Sequence, residues 1–304
     1  MKKEIFSRLT WADIDSSAVQ HLIALARAED MEGAGMLRQF PYSGDLTTQS
    51  MVEQATSGQA NLMARKNMVV CGSRLIPLVL EIYGGDCVFE ASVEDGQHLK
   101  KGECIGTLSG DAAQMLQAER IILNFLQHLS GISTTTSRYV EALRDTGTRI
   151  LDTRKTTPGY RVLEKYAVAC GGGWNHRMGL YHWILVKDNH LSSTGAQKGA
   201  ALEQRIRQAK ARFPDVVVEV EVDEIAQIEP VLAAGADIVM LDNFSNDNLK
   251  EAVTLIAGRA ITEASGGVEF EHLRGIADTG VDYISSGALI HQSQWIDIGL
   301  DWNG

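Results

Sequence analysis

The chain has 304 residues, of which 44% are hydrophobic and 22% are charged, a composition that is ordinary for a folded globular protein. This length allows one large domain or a barrel with a small companion domain. The net charge of -11 opposes nucleic-acid binding, which needs a basic face. No apolar run is long enough to span a membrane, and the first residues lack the apolar stretch of a signal peptide. We therefore expect a cytoplasmic protein without membrane or nucleic-acid partners.

The cysteines point to the same compartment. The chain has four of them, Cys71, Cys87, Cys104 and Cys170, and no two form a Cys-x-x-Cys pair. This spacing disfavours a zinc site or a redox site. We expect the cysteines to be small core residues in a reducing environment.

The first part of the chain has the pattern of a mixed α/β domain. Apolar positions at helical spacing predict a helix near residues 15–30. Short strand-like runs follow at residues 58–65, 67–72, 86–94 and 103–108. Residues 94–110 also look like a lipoyl-type hairpin with a cofactor-carrying lysine at its tip, but a plain structural turn is the better interpretation.

A long helix is predicted next, near Ala113 to Leu143. Its apolar stripe consists of Met115, Ala118, Ile122, Phe125 and Leu129. A second stripe is polar and consists of Arg120, Asn124 and Gln127, whose spacing places them on one helix face. An arginine in this setting is either a snorkelling surface group or part of a site, and the spacing alone favours the surface.

After about residue 147, apolar runs alternate with helical patterns. The runs are RILD, ILVK, VVVEVEV, DIVML, AITEAS and DYISS, and the last four are about 21–22 residues apart. This spacing is typical of βα units with a parallel sheet. Several of the intervening helical segments end in glycine, a common helix stop. Six units favour a closed barrel over an open sheet, although the spacing leaves both possible.

Polar residues or glycines stand at the end of each of these runs. They are Thr153, Arg154 and Lys155, then Lys187, then Glu219 and Glu221, then Asp242, then Glu263 with Ser265, Gly266 and Gly267, and finally Ser286 and Gly287. Barrel enzymes place their catalytic groups at the carboxyl ends of the strands, so we expect these residues on one rim. Strand alternation directs Glu219 and Glu221 into the barrel, and Asp242 follows the same parity as Met240. A carboxylate there needs a cation, a metal or a substrate hydroxyl as its partner.

Positive charge is concentrated in one segment of this acidic chain. Residues 149–190 carry seven Lys or Arg against three acids, so the segment has a charge of +4 and the remainder -15. Such a cluster indicates a focused pocket for an anion. The charge alone is equally compatible with chance clustering on a solvated helix face.

The rim residues suit a ligand that combines a phosphate with a second anion. The loops at Ser265–Gly267 and Ser286–Gly287 let backbone amides approach a phosphate, and two such loops after the last strands are the usual barrel phosphate site. The cations are Arg154, Lys155, Arg177 and Lys187, and His176 is a further donor. Glu221 and Asp242 can hold Mg²⁺ or stabilise a positively charged sugar. A phosphorylated sugar together with a carboxylate-bearing anion would engage the phosphate loops, the cations and the two carboxylates.

The segment LDTRKTTPGYRVLEKYAVACGGGWNHRMGLYHWILVKDNHL at Leu151–Leu191 closely resembles the signature of quinolinate phosphoribosyltransferases. The segments AERIILNFLQHLSGIST, VEVEVDE, AGADIVMLDN, EASGG, DYISSGAL and GDLTT resemble this family in the same order. The resemblance implies a small N-terminal α/β sandwich domain over residues 1–130 and an incomplete α/β (TIM-like) barrel over residues 131–290. It also implies that the tail, residues 291–304, packs back on the first domain.

The resemblance further implies an activity and an assembly. The family joins quinolinate to 5-phosphoribosyl pyrophosphate with Mg²⁺ as cofactor. The reaction releases pyrophosphate and CO2 and leaves nicotinate mononucleotide, a step of de novo NAD biosynthesis. The family works as a homodimer or larger homo-oligomer with shared active sites, in which the N-terminal region of one subunit completes the site of the other.

The resemblance assigns roles to individual residues. The quinolinate carboxylates would be bound by Arg120, Arg154, His176, Arg177 and Lys187, with Thr153 beside them and Arg120 contributed by the partner subunit. Lys155 would lie near the pyrophosphate or its metal. Glu221 and Asp242 would face the ribose and Mg²⁺ as the bond to pyrophosphate breaks. The 5-phosphate would be held by Ser265, Gly266, Gly267, Ser286 and Gly287.

Two positions depart from the family pattern. Residues 31–43 form a segment that is usually shorter, and this affects the N-terminal edge of the expected site. Trp174 stands where a smaller or polar residue is expected. We interpret Trp174 as packing against the neighbouring glycine loop rather than as a lid over the pyridine ring.

Three other functions compete with this assignment. One is a paralogue of the same fold found beside molybdate transport, which the DTRKTTPG and NHRMG blocks disfavour. Another is a barrel lyase that uses Lys187 as a Schiff-base nucleophile. The third is a sensor that binds pyridine carboxylates without turnover, which the presence of Glu221 and Asp242 disfavours.

Overall fold

A computed structural model of the chain describes residues 5–38, 40–53, 56–187, 190 and 199–303. The chain divides into two compact units. The small-sheet unit comprises Leu9–Thr135, Pro158–Gly172 and the residues from Ser293 onward. The barrel unit comprises the residues up to Arg8, Thr136–Thr157 and Gly173–Gln292. None of the helices in the described part of the chain is long and apolar enough to cross a membrane.

The small-sheet unit is built on an antiparallel sheet. Its strands are β1 (Ser57–Ala64), β2 (Met68–Val69), β3 (Val88–Ala91), β4 (His98–Leu99), β5 (Cys104–Asp111) and β12 (Ile298–Trp302). Its helices are α1 (Ser16–Glu32), α2 (Leu46–Met51), α3 (Ile76–Ile82), α5 (Arg161–Cys170) and most of α4 (Ala112–Ala142). The sheet order among the described residues is β12-β1-β5-β3, and β2 pairs separately with β4. The C-terminal strand therefore adds to the edge of the first sheet, beside β1.

Local sequence signals explain where the first helices begin and end. The side chain of Asp15 caps α1 by accepting a hydrogen bond from the amide of Ser17 at 2.9 Å. The helix ends at Gly33, which adopts a left-handed φ of 71°. The segment that follows, between α1 and α2, exposes Met36, Leu37, Phe40 and Tyr42 to solvent. Gln39 of this segment lies outside the described residues.

The predicted long helix is confirmed as α4. All five residues of its apolar stripe are buried: Met115, Ala118, Ile122, Phe125 and Leu129. Of the polar stripe, Arg120 and Asn124 are exposed, and the amide of Gln127 donates to the carbonyl of Ile298 at 2.9 Å. The polar stripe therefore contains a surface arginine and one hydrogen bond to strand β12.

The barrel unit contains the βα repeats that the spacing predicts. Its strands are β6 (Arg149–Leu151), β7 (Ile184–Val186), β8 (Val218–Val222), β9 (Ile238–Asp242), β10 (Ile261–Ser265) and β11 (Tyr283–Ser285). Its helices are α6 (Gly199–Arg212), α7 (Ile228–Ala233), α8 (Asn246–Ile256), α9 (Leu273–Ala277) and α10 (Ala288–His291). Among the described residues these six strands form one parallel sheet in the order β6-β11-β10-β9-β8-β7. No ladder in the described chain joins β6 to β7, so the sheet is the incomplete barrel of the expected fold class.

A layer of apolar side chains fills the inside of the barrel unit. It consists of Phe6, Leu151, Trp183, Ile238, Ile261 and Tyr283. Phe6 is central to this layer because its ring lies 4.4 Å from that of Tyr283 and 5.7 Å from that of Trp183. The next residue, Ser7, forms an antiparallel bridge with Asn175.

The N-terminal residues thus group with the barrel unit, whereas the sequence placed residues 1–130 in the N-terminal domain. The segment Pro158–Gly172 groups with the small-sheet unit, although it falls inside the range 131–290. Both assignments depend on contacts between residues far apart in the chain, and local pattern carries no information about such contacts.

We expect Phe6→Ala to lower the free energy of unfolding by about 3–5 kcal/mol, because it leaves a cavity between two buried rings. Phe6 is 1% exposed. Chemical denaturation followed by circular dichroism measures the change. Phe40→Ala is the matched control, since Phe40 is 58% exposed and its removal opens no core cavity. Equal effects of the two variants would contradict a core role for Phe6.

Candidate active site

The carboxyl ends of the parallel strands surround a cavity of about 360 Å³. Ten residues predicted for the site line it: Thr153, Arg154, Lys155, His176, Arg177, Lys187, Glu221, Asp242, Ser265 and Gly266. The lining also includes Leu185, Met240, Glu263 and Ser285. The structure therefore brings the predicted acids and bases together on one rim.

A second cavity of about 550 Å³ adjoins the first. It is lined by the remaining predicted phosphate-binding residues, Gly267, Ser286 and Gly287. Five residues line both cavities: Thr153, Lys155, Ser265, Gly266 and Ser285. A ligand with two parts can therefore extend from one cavity into the other past Lys155.

The glycines of this second cavity are required by close approaches. Gly266 has a φ of +90°, and a Cβ there would lie 2.3 Å from the side-chain oxygen of Asn243. A Cβ at Gly287 would lie 2.8 Å from the side chain of Lys155. A side chain at Gly266 would therefore collide with Asn243, and one at Gly287 would crowd Lys155.

Arg120 does not line either cavity. It lies on α4 in the small-sheet unit, where its side chain is exposed. The described residues of segment 31–43 are also absent from both linings.

The floor of the first cavity is a buried network around Glu219. Nε2 of His176 lies 3.2 Å from the Glu219 carboxylate, and the indole nitrogen of Trp183 donates to the same carboxylate at 2.9 Å. Glu219 has no exposure to solvent. The sequence left open whether Glu219 assists Glu221, and the structure gives it His176 and Trp183 as hydrogen-bond partners.

Asp152 fixes the backbone that carries His176. Its carboxylate accepts a hydrogen bond from the side-chain amide of Asn175 at 2.7 Å and another from the backbone amide of His176 at 2.8 Å. Asp152 is fully buried at the end of strand β6. These bonds hold the basic residues His176 and Arg177 at a defined position beneath the rim.

The network stabilises the charged forms of His176 and Glu219. Burial alone would lower the pKa of His176, but the carboxylates of Glu219, Glu263 and Asp152 outweigh burial and raise it. Burial alone would raise the pKa of Glu219, but the imidazolium of His176 and the hydrogen bonds from His176 and Trp183 lower it. Both shifts favour an imidazolium facing a carboxylate.

Glu263 completes this cluster from strand β10. Its carboxylate lies 3.6 Å from Nε2 of His176, and the donor atoms of His176, Glu219 and Glu263 all lie within 4.8 Å of one another. Burial, followed by the charge of Glu219, raises the pKa of Glu263 to about 8, against the opposing effects of His176 and the nearby Ser285 hydroxyl. Glu263 is thus a neutral acid at neutral pH.

Two guanidinium groups in the cavity lining each have a buried nitrogen atom without a partner in the described part of the chain. Nε of Arg154 and Nε of Arg177 are buried and have no hydrogen-bond partner among the described residues. Arg177 is held by a bond from Nη1 to the carbonyl of Trp183 at 3.1 Å. Burial and the neighbouring Arg154 lower the pKa of Arg177. A bound anion would satisfy both groups.

The remaining charged residues lie nearer the mouth of the cavity. Lys187 forms an ion pair with Glu221, whose side chain is 12% exposed. Asp242 accepts a hydrogen bond from the side chain of Asn243 at 2.6 Å. The carboxylates of Glu221 and Asp242 supply the hard oxygen ligands that Mg²⁺ prefers, so these residues fit the metal that the family resemblance implies.

Trp174 has a structural environment. Its ring lies beneath two guanidinium groups, 4.8 Å from Arg8 and 4.4 Å from Arg149. Its backbone forms a parallel β-bridge with Leu151, the last residue of strand β6, and its side chain packs against the apolar layer. Trp174 is absent from both cavity linings, in agreement with a packing role.

Several residues of the site carry weak signals in the sequence. Glu263 stands at a strand end, and that position alone singled it out. Trp183 had no distinguishing pattern, because its contribution depends on partners from distant segments. Glu269, Phe270 and Tyr139 in the second cavity were not predicted for the same reason.

Family models match most of the chain. One, for the N-terminal domain of quinolinate phosphoribosyl transferase, matches residues 45–130, and another, for the C-terminal domain, matches residues 132–301. The chain belongs to the quinolinate phosphoribosyltransferase family. The resemblance stated from the sequence is thereby confirmed.

Curated relatives and solved structures agree with this family. The chain is 41% identical over 259 residues to the probable nicotinate-nucleotide pyrophosphorylase [carboxylating] of Bacillus subtilis, covering 85% of this chain and 88% of that protein. It is 38% identical over 295 residues to the nicotinate-nucleotide pyrophosphorylase [carboxylating] of Mycobacterium leprae, covering 95% and 99%. The structure of the nicotinate-nucleotide pyrophosphorylase from Francisella tularensis superposes with a TM-score of 0.87 at 36% identity, covering 95% and 98%. The predicted fold class is thus confirmed for a member of the quinolinate phosphoribosyltransferase family.

We expect the imidazole of His176 to titrate above its ordinary range, and Glu219→Gln to lower that pKa by removing the facing charge. Nuclear magnetic resonance of the labelled histidine ring measures both values. Because the folded-state pKa is raised, the stabilisation is present at low pH and is lost as pH rises through that pKa. Glu221→Gln is the matched control, since Glu221 lies two residues along the same strand and pairs with Lys187. An unchanged His176 titration in Glu219→Gln would contradict this network.

Proposed function

We propose that this chain transfers the phosphoribosyl group of 5-phosphoribosyl pyrophosphate to the nitrogen of quinolinate. The product then loses CO2 to give nicotinate mononucleotide, with release of pyrophosphate, a step of de novo NAD biosynthesis. The observation that carries this function is the pair of adjoining cavities. One contains unpartnered guanidinium nitrogens, and the other is formed by serine and glycine loops.

Quinolinate fits the first cavity because it is a dianion. Arg154 and Arg177 present unpartnered nitrogens to it, and the His176 imidazolium adds a third positive group. An arginine binds a carboxylate through two parallel hydrogen bonds, which fixes the orientation of the pyridine ring. Nicotinate has one carboxylate and would leave part of this pocket unpaired, which is costly.

The phosphate of the second substrate fits the second cavity. The loops at Ser265–Gly267 and Ser286–Gly287 offer backbone amides, and Lys155 lies between the two cavities. In this proposal, Lys155 would lie beside the reacting carbon of the ribose and the departing pyrophosphate. Glu221 and Asp242 face this region, where carboxylates stabilise the positive charge that develops on the sugar as the leaving group departs.

We also propose Mg²⁺ as the cofactor, held by Glu221 and Asp242 together with the pyrophosphate. When bound, it would neutralise charge on the departing pyrophosphate. The residues themselves position the ring nitrogen against the sugar, exclude water from the floor of the cavity and stabilise the sugar cation. No side chain need act as a general base, since the ring nitrogen carries no proton to remove.

A Schiff-base lyase is disfavoured by the state of Lys187. Its ammonium group is ion-paired with Glu221, whereas a Schiff-base lysine must attack as the free amine.

All four cysteines are free thiols, which supports the proposal that the enzyme acts in the cytoplasm.

The direct test is an assay with 5-phosphoribosyl pyrophosphate, Mg²⁺ and either quinolinate or nicotinate. We expect nicotinate mononucleotide and CO2 from quinolinate, and no product from nicotinate. Folded protein that forms no product with quinolinate, or that accepts nicotinate equally well, would contradict the proposed function.

We expect Arg154→Ala to raise the KM for quinolinate by roughly 30-fold or more, which corresponds to about 2 kcal/mol for a lost charge-assisted pair. The KM for 5-phosphoribosyl pyrophosphate should change far less, because the phosphate loops are intact. Steady-state kinetics with each substrate varied in turn measures both. Arg144→Ala is the control, since Arg144 lies on the surface and pairs with Glu141. Equal losses for both substrates would refute the assignment of Arg154.

We further propose a homodimer or larger homo-oligomer in which Arg120 completes the site of the partner subunit. The exposure of Arg120 and its absence from the cavity linings support this arrangement. If it holds, Arg120→Ala and Arg154→Ala are each defective alone, but mixed subunits contain one intact site in each heterodimer. After subunit exchange we expect the mixture to regain about a quarter of wild-type activity, from random pairing in a dimer. Activity no higher than that of the separate variants would contradict a shared site.

A further inference from the structure

Glu263 is a group on the cavity floor whose chemistry the proposed transfer reaction does not use. It lies on strand β10 and lines the cavity beside His176. It is fully buried, and its carboxyl oxygens are closed off from solvent. The groups that act on this carboxyl through hydrogen bonds are the hydroxyl of Ser285 and the carboxyl of Glu219. A buried carboxyl of this kind is costly unless it is uncharged or meets a ligand.

The groups that face Glu263 explain why it is uncharged. Glu219 on β8 supplies a negative charge and His176 supplies one positive charge, and these two balance each other. Its register partners on the adjoining strands, Met240 on β9 and Tyr283 on β11, are neutral, as is the Ser285 hydroxyl. Asp152 adds a second negative charge near His176. An ionised Glu263 would add a further negative charge beneath a site that, in the proposed function, binds a dianion. Its pKa of about 8 keeps the carboxyl protonated at neutral pH.

The second half of the proposed reaction needs a proton. When the carboxylate at C2 of the pyridinium ring leaves as CO2, the electron pair of the broken bond remains on C2. Nicotinate mononucleotide carries hydrogen at this carbon, so an acid must deliver a proton there. The other proton donors that line the cavity are engaged or unsuited. Lys187 is paired with Glu221, and His176 is paired with Glu219. Lys155 also lines the second cavity, beside the phosphate loops, and arginine is too weak an acid.

We propose that Glu263 is the acid that protonates C2 after decarboxylation, an inference that rests on the proposed function. The C2–carboxylate bond breaks, CO2 departs, and the electron pair on C2 takes the proton from the Glu263 carboxyl. A C–H bond forms, the O–H bond breaks, and Glu263 is left as a carboxylate next to the His176 imidazolium. Water reprotonates it after the product leaves.

The test compares two products of one turnover in Glu263→Gln. The amide keeps the size and neutrality of the acid but has no proton to give, so the carbanion recaptures CO2. We expect CO2 release to slow by about 100-fold, the scale of general acid catalysis, and to slow far more than pyrophosphate release. The phosphoribosylated dicarboxylate should accumulate. Rapid quench with labelled substrates measures pyrophosphate, CO2 and this intermediate, and Glu251→Gln on the exposed face of α8 is the matched control.

Either of two results would overturn the role of Glu263. Pyrophosphate and CO2 release could slow equally, which would indicate a structural residue, or CO2 release could match the wild type. Absence of pyrophosphate release from the wild-type enzyme with quinolinate would instead sink the proposed function itself.

The wild-type protein provides a second test that does not depend on a variant folding. An acid must be protonated to act, so CO2 release should fall as pH rises through about 8, relative to pyrophosphate release in the same turnover. A ratio of the two rates that stays constant through this range would contradict the proposal. In Glu263→Gln the pH dependence of the ratio should be absent.

Discussion

The site depends on charge balance in a place that water does not reach. Asp152, Glu219, Glu263 and His176 are all buried at the carboxyl ends of the parallel strands. This burial is tolerable because each charge has a partner: His176 faces Glu219, the amides of Asn175 and His176 satisfy Asp152, and Glu263 is neutral. The cavity lining itself has more basic than acidic side chains, because Arg154, Lys155, Arg177 and Lys187 outnumber Glu221 and Asp242. In the proposed function, this excess of positive charge favours a dianionic substrate.

The apolar core and the polar floor are connected through shared residues. Trp183 packs its ring against Phe6 in the inner layer and donates its indole hydrogen to Glu219, while its backbone carbonyl holds Arg177. Phe6 reaches this layer from the N-terminal segment, which also pairs with Asn175 just before His176. The positions of His176 and Arg177 in the cavity lining therefore depend on core packing as well as on the rim itself. A loosened core would first displace these two residues, because both are held from below.

The sequence predicted those features that arise from short-range pattern. The six strands, the long helix α4 and the convergence of eight rim residues followed from periodicity and from the rule that strand ends carry function. His176 and Arg177 were named from the basic segment and from the family resemblance. Three features could not be predicted from the sequence. The grouping of Phe6 with the barrel unit and of Pro158–Gly172 with the small-sheet unit depends on long-range contacts. The partners of Glu219 could not be assigned because His176 and Trp183 come from a different segment. The neutrality of Glu263 results from burial and from a neighbouring charge, and neither is visible in a one-dimensional pattern.

The charge balance of the floor is the claim on which substrate choice and proton delivery both rest, and infrared spectroscopy tests it most directly. A protonated carboxyl group has a carbonyl band that a carboxylate lacks. The difference spectrum between wild type and Glu263→Gln should contain this band at neutral pH and lose it as pH rises through about 8. A difference spectrum with only carboxylate bands at neutral pH would mean that Glu263 is ionised. The floor would then carry one more negative charge, and both the proposed account of dianion binding and the proposed source of the proton would be contradicted.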